Sequence, residues 1–332
     1  MGGVKRMASK RIEWLDIAKA LSIILVVLGH AGHQYLDVYL GWFRIPLFFF
    51  LSGVLFKPVW IRDFFSWAAA KMRRLMVPYF AYGILIFAVF NLHNMDMIFE
   101  HIATLLYGGR VLQGPYGVFW FITVLLMTQL LLGLMSPLRR GVQVALILAL
   151  FIIGHTPVLS SYDFFWNVDT VPVAVFYYSL GYYAKDFIVK YNNSFWLAVS
   201  SALIAAFFIV LDANGFMTHE MNLKMGRLNN VFMDIIIPLS FFMPVIYVST
   251  VLTRYRIKEV FETVGRYSIV IMYLHLPVNI FFRTVLGYDV TVFEFTCFGV
   301  VIPVMLGMLM SRTGVTRRLL LGEKNRVPET AG

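Results

Sequence analysis

Charge is scarce in this chain. Only 14% of its residues are Asp, Glu, Lys or Arg, where a water-soluble domain carries roughly 25%, so the chain cannot clothe itself in groups that water solvates. Cysteine is nearly absent. Cys297 stands alone in an apolar stretch, which excludes an internal disulfide and any cysteine-based redox or zinc pattern. There is no long hydrophilic stretch, no low-complexity tract and no detectable repeat, so no separate extramembrane domain is expected to house the chemistry. A Gly-rich phosphate loop, a nucleophile elbow and a nucleic-acid-binding motif are also missing. What the chain has in abundance is apolar residues, 60% of the total with a mean hydropathy of +0.76. They fall in blocks near the roughly 20 helical residues that cross a hydrocarbon core of about 30 Å. In lipid, continuous apolar runs select the helix over the closed barrel. The expected fold class is an all-α polytopic membrane bundle.

About ten transmembrane helices are expected, at roughly 13–31, 41–56, 75–92, 117–135, 142–158, 170–187, 195–212, 229–251, 264–282 and 290–311. Between the second and third, Val59–Met72 sets Trp60, Phe64, Phe65 and Trp67 among Arg62, Asp63 and Lys71, the pattern of one amphipathic helix lying in the interface. The net charge of +10 would suit nucleic acid, but its distribution has another cause. With the N-terminus inside, 22 basic residues fall on the cytoplasmic side, four (Arg110, Lys224, Arg227, Arg283) fall outside, and Lys19 and Arg44 lie within spans. That asymmetry is the positive-inside pattern, and an even number of helices puts both termini in the cytoplasm. The chain therefore reads as one membrane domain over 1–332, with a short cytoplasmic start at 1–12, a bundle at 13–311 and a basic cytoplasmic tail at 312–332. The first ten residues are not expected to be a cleaved signal, because the apolar run after them carries Asp16 and Lys19 and lacks a small-residue cleavage site; Met7 is an alternative start.

A Lys, Arg or Asp at the centre of a span costs about 2.5–3.5 kcal/mol on insertion scales, and such residues tend to be functional. In the first span, Lys19 and His30 are eleven residues apart, about three turns plus 20°, which puts both on one stripe about 16 Å apart. Asp16 lies near that stripe and can pair with Lys19, and His33 continues it outward. An ion pair plus a hydrogen-bonded core histidine would be the bland account of the same seam. In the second span, Arg44 reaches the depth of His30, or else snorkels to the interface. Ser52-Gly53 permits close helix contact or close approach of a ligand. Arg73 and Arg74 open the third span and are suited to phosphates, though topology alone accounts for them. His275 could meet His30 in depth, Trp120 is a site or an aromatic-belt residue, and Asp234 could orient a histidine. His30 and His33 lack further ligands, so no metal site is expected.

Residues 11–80 resemble the acyltransferase-3 family of membrane O-acetyltransferases. The resemblance runs through Arg11-Ile12-Glu13-Trp14-Leu15-Asp16-Ile17-Ala18-Lys19 to His30, then Ile45-Pro46-Leu47-Phe48-Phe49-Phe50-Leu51-Ser52-Gly53, then Arg73-Arg74 before Pro78-Tyr79. Trp120 and Tyr273-Leu274-His275 extend it, and the wording is closest to the exopolysaccharide and fucose O-acetylase branch. Lys19 stands where the family carries arginine, which keeps the charge and loses bidentate recognition. The resemblance implies acetyl-CoA as donor co-substrate, entering from the cytoplasm and bound by Lys19, Arg73 and Arg74. A glycan or lipid-linked oligosaccharide would be the acceptor, with His30 as general base and Arg44 or His275 stabilising the oxyanion. Partners are then acyl-CoA, glycan and the lipid bilayer, with no metal and no nucleic acid, in a bacterial inner membrane. The rival reading is a transporter or flippase for a glycan or lipid-linked sugar, since polar seams at mid-membrane also mark substrate pathways.

Overall fold

The computed structural model describes residues 12–91, 95–160 and 162–323. The expected terminal bases Lys5, Arg6, Lys10, Arg11, Lys324 and Arg326, and the alternative start Met7, lie outside the described residues. Among the described residues every regular element is helical, apart from one isolated bridge between Asn222 and Arg227. In chain order the helices are α1 (Glu13–Leu28), α2 (Gln34–Gly41), α3 (Arg44–Val54), α4 (Phe64–Asn91), α5 (Ile98–Tyr107), α6 (Trp120–Met135), α7 (Arg140–Gly154) and α8 (Pro157–Ser160). They continue with α9 (Val171–Tyr183), α10 (Lys185–Tyr191), α11 (Phe195–Ala213), α12 (Met233–Leu252), α13 (Lys258–Arg266), α14 (Ser268–Thr284), α15 (Val292–Met310) and α16 (Gly314–Leu320).

Six helical segments among the described residues are long and apolar enough to cross a membrane, and the α13–α14 pair, bent by 79°, makes a seventh. The other three expected spans coincide with the shorter helices α1, α7 and α9. Two of these short helices are the central ones. α1 packs against α3, α12, α13, α14 and α15, while α9 packs against α3, α6 and α7. Both bury residues on almost every side. α11 is the opposite case, burying only Ala198 and Ala205 and leaving Leu203, Ile204, Phe207 and Val210 exposed. A helix this apolar and this uncovered needs lipid around it. The chain is a multi-pass membrane protein.

Small residues let the central helices touch. A Cβ on Gly53 of α3 would sit 1.8 Å from the Tyr178 carbonyl oxygen, and one on Gly181 of α9 would sit 2.0 Å from that of Phe50. The two glycines thus admit each other's backbone, the small-residue contact of membrane helices. Gly265, at the end of α13, lies the same way on α1, where a Cβ would be 2.2 Å from the Asp16 carbonyl oxygen. Ion pairing of Lys258 with Glu13 at 3.3 Å reinforces that crossing.

Three elements differ from expectation. The interfacial segment 59–72 is not a separate helix; from Phe64 it is the first part of α4, which runs 28 residues without a break. Ala68-Ala69-Ala70-Lys71-Met72-Arg73-Arg74-Leu75-Met76 contains only strong helix formers, so nothing stops the helix, and its length of about 42 Å exceeds the hydrocarbon core. The stretch 93–116, expected as an outer loop, instead contains α5, which packs back along α4. Its His101 ring lies 4.7 Å from that of Phe87, and the Leu105 carbonyl accepts from the Tyr79 hydroxyl at 2.8 Å. Those two contacts are about 12 Å apart along α4. Finally, α1 stops at Leu28 rather than continuing to 31. Gly29 caps it, and Gly32, at φ +77°, turns the chain into α2.

Candidate active site

At the end of the bundle away from Glu13 and Lys258, a cavity of about 420 Å³ opens between α1, α3, α6, α14 and the 214–232 loop. His30 lines it from the turn after α1. The His30 Nδ1 lies 2.7 Å from the Val26 carbonyl oxygen. A carbonyl can only accept, so Nδ1 carries the hydrogen, and the neutral ring keeps its lone pair on Nε2, the atom facing away from the helix. His275 repeats the device one helix over, with Nδ1 2.8 Å from the Ile271 carbonyl and a buried Nε2 that has no hydrogen-bond partner among the described residues. The two rings are 5.2 Å apart, centroid to centroid, tilted by 55°. His275 is completely buried, and its neighbour Met272 is the α14 residue that reaches the cavity.

Arg44, the first residue of α3, lies across Gly29. A Cβ there would fall 1.4 Å from an Arg44 Nη atom, so only glycine leaves the guanidinium its place beside His30. Arg44 Nη1 is buried and has no hydrogen-bond partner among the described residues. A buried donor left unmade is costly, and here it borders an open cavity. Asp37 and Trp120 complete this side of the wall, Trp120 as the buried first residue of α6.

The opposite wall comes from the loop 214–232, which is pinned from several directions. Arg110, buried and ion-paired with Asp169, donates from Nε to the Lys224 carbonyl at 3.1 Å. Asn167 Nδ2 donates to the same oxygen at 2.6 Å, and the Thr170 hydroxyl to Leu223 O at 2.8 Å. Trp166 and Asn167 adopt the left-handed region (φ 56° and 54°) to present that amide, strained for a tryptophan and held by the indole N–H donating to Leu106 O at 2.9 Å. The Lys224 ammonium then points inward, donating to Leu112 O at 2.7 Å and Gly117 O at 3.0 Å. Burial pulls its pKa down to about 8.

The structure brings His30, Arg44, His275 and Trp120 together. Lys19, Arg73 and Arg74 do not line the cavity. Lys19 and Asp16 are half-buried in the first turns of α1, and both arginines are exposed at the basic end of α4. The gap is narrow at one point: the Tyr273 hydroxyl, next to Met272, donates to Leu75 O at 3.4 Å, one residue beyond Arg74. Tyr273 stacks on Tyr82 at 4.6 Å and meets Phe119 at 4.9 Å, an aromatic layer between the arginines and the cavity. Ser52 is outside the cavity, beside the α3–α9 contact, and His33 is exposed at the start of α2. Asp234 does hold a histidine, but it is His155, whose Nε2 lies 2.9 Å from Asp234 Oδ2. His219 adjoins the same carboxylate at 3.6 Å. Among the described residues no three His, Cys, Asp or Glu side chains are arranged to hold a metal.

Sequence reading passed over Gly29, Lys224 and the Arg110–Asp169 pair. The signal for Lys224 was present: it is one of four bases on the base-poor side of the chain. A membrane bundle that seats a tautomer-fixed histidine and a guanidinium with a donor to spare in one cavity has the parts of a membrane-embedded group-transfer enzyme. Residues 12–312 match the family described as Acyl_transf_3, acyltransferase domain. The chain belongs to this acyltransferase-3 family, and it is an acyltransferase. No curated protein and no solved structure matches it.

Proposed function

We propose that the protein moves an acetyl group from cytoplasmic acetyl-CoA to a hydroxyl of a cell-surface or exported glycan, with His30 as general base. The observation that carries this reading is the His30 Nδ1–Val26 bond, because it leaves Nε2 free to accept a proton inside the cavity. As the acceptor oxygen attacks the thioester carbonyl, its proton passes to His30 Nε2 and the new C–O bond forms. The negative charge gathers on the carbonyl oxygen, where Arg44 Nη1 has a hydrogen bond to give. Collapse breaks the C–S bond, and the proton held by His30 goes to the departing thiolate, leaving free CoA and the acetyl ester. His275 fits a different role from that of oxyanion donor. Its Nδ1–H is already committed, so its neutral Nε2 can only accept, which suits support of the His30 imidazolium formed in the attack.

In this reading the basic end is cytoplasmic and lies in a bacterial inner membrane. Arg73, Arg74 and Lys19 receive the phosphates of CoA, and the pantetheine arm passes the Tyr82–Tyr273 layer. The test uses purified protein in detergent with labelled acetyl-CoA and a crude glycan acceptor. His30→Ala is expected to lose about 10²–10⁴-fold in transfer while inserting normally. Label transferred at the wild-type rate by that variant would remove His30 from the chemistry, and no label moved by the wild type would favour transport of a glycan.

A further inference from the structure

The structure assigns Lys224 to an anion subsite: together with Arg44 it binds a carboxylate or phosphate carried by the acceptor, so the glycan acetylated is an acidic one. This rests on the acyl-transfer reading and goes beyond it by naming the acceptor's chemistry. Two cations face the cavity, against a single carboxylate, Asp37, which is exposed to solvent. Neither cation is used up. An ammonium has three donors, and Lys224 spends two on the Leu112 and Gly117 carbonyls. Among the described residues no carboxylate lies within ion-pair distance of it. Arg44 Nη1 is buried and has no hydrogen-bond partner among the described residues.

One developing oxyanion in the reaction needs one of these cations, and Arg44, lying over Gly29 beside His30, is the one placed for it. Lys224 is on the opposite wall, on the 214–232 loop, across the cavity from His30 and Arg44. A merely structural lysine there would be redundant, because Arg110, Asn167 and Thr170 already fix the loop backbone at 223–224. The two carbonyl bonds leave the ammonium without an opposite charge, and the cost of desolvating that cation is offset in full only when an anion arrives. The third ammonium N–H and the remaining guanidinium donors then meet a charged oxygen, the strong kind of hydrogen bond.

The test is direct binding to the purified full-length protein, read by titration calorimetry with glucuronate, glucose 1-phosphate and glucose. Wild type is expected to bind at least one of the two anions roughly 10-fold or more tighter than glucose. The tighter of the two identifies carboxylate or phosphate as the group recognised. Lys224→Gln should lose most of that preference, and Lys224→Arg should keep it. The proposal fails if glucose binds as tightly as both anions, if none of the three binds, or if Lys224→Gln weakens all three alike, since Lys224 would then be only a strut of the loop. No acetyl transfer is needed for this readout, so the subsite and the proposed reaction can fail separately.

Discussion

At the scale of single residues, the cavity depends on what is small as much as on what is charged. Gly29 has an ordinary φ of −75°, so alanine there is unstrained in backbone and differs only in the methyl that would displace Arg44. Gly29→Ala is therefore expected to lower kcat by 10-fold or more with little change in thermal midpoint; an unchanged kcat would separate Arg44 from the oxyanion. Lys224 gives a pH signature. Its burial lowers the pKa to about 8, so the charge that binds an anion is full below that value and lost as pH rises through it. Glucuronate affinity should fall as pH rises through about 8, and Lys224→Arg should carry the binding to higher pH. His30 and Arg44 were legible in the sequence because a charge or an imidazole in an apolar run is expensive and stands out. Lys224 did not stand out, since a lysine in a polar loop costs nothing until the loop folds inward. Asp234 was read as a histidine's partner, but which histidine it meets depends on how α7 and α12 pack, which no local pattern encodes.

At the scale of elements, the α3–α9 contact anchors the helix that carries Arg44, since the reciprocal glycines fix α3 at 50–54, the end opposite Arg44. Gly53→Ala pushes a methyl into the Tyr178 backbone, which cannot rotate away as a side chain can. We expect a loss of about 1–3 kcal/mol, read as a lowered thermal midpoint in detergent, whereas Ala at Gly141, which has open space around it, should leave the midpoint unchanged. Apolar blocks locate all ten helical regions because hydrophobic length is a local property. They miss the continuity of α4 and the reversal of α5. Continuity is set by the absence of a breaker between 64 and 77, while α5 lies against α4 through tertiary contacts of His101 and Leu105.

At the scale of the whole molecule, one end of the bundle is basic and the other is closed by a loop tied to the core through Arg110 and Asp169. Removing one partner of such a buried pair leaves the other charge stranded, at a cost of about 3–5 kcal/mol. Arg110→Ala should expose the 214–232 loop to limited proteolysis before the rest of the chain is cut; cleavage at the wild-type rate would show that the loop is held by other means. Gly265 resting on the Asp16 carbonyl has a consequence for chain length. It sets α1 and α13 at a common mark, from which His30 is counted forward 14 residues and His275, in α14 beyond the bend, ten. Inserting one residue within the helical part of either count, before Leu28 in α1 or after Ser268 in α14, would swing that ring by about 100° and break the pairing, although no apolar position changed its character. These two stretches are a measured distance, and the chain can grow or shrink only elsewhere.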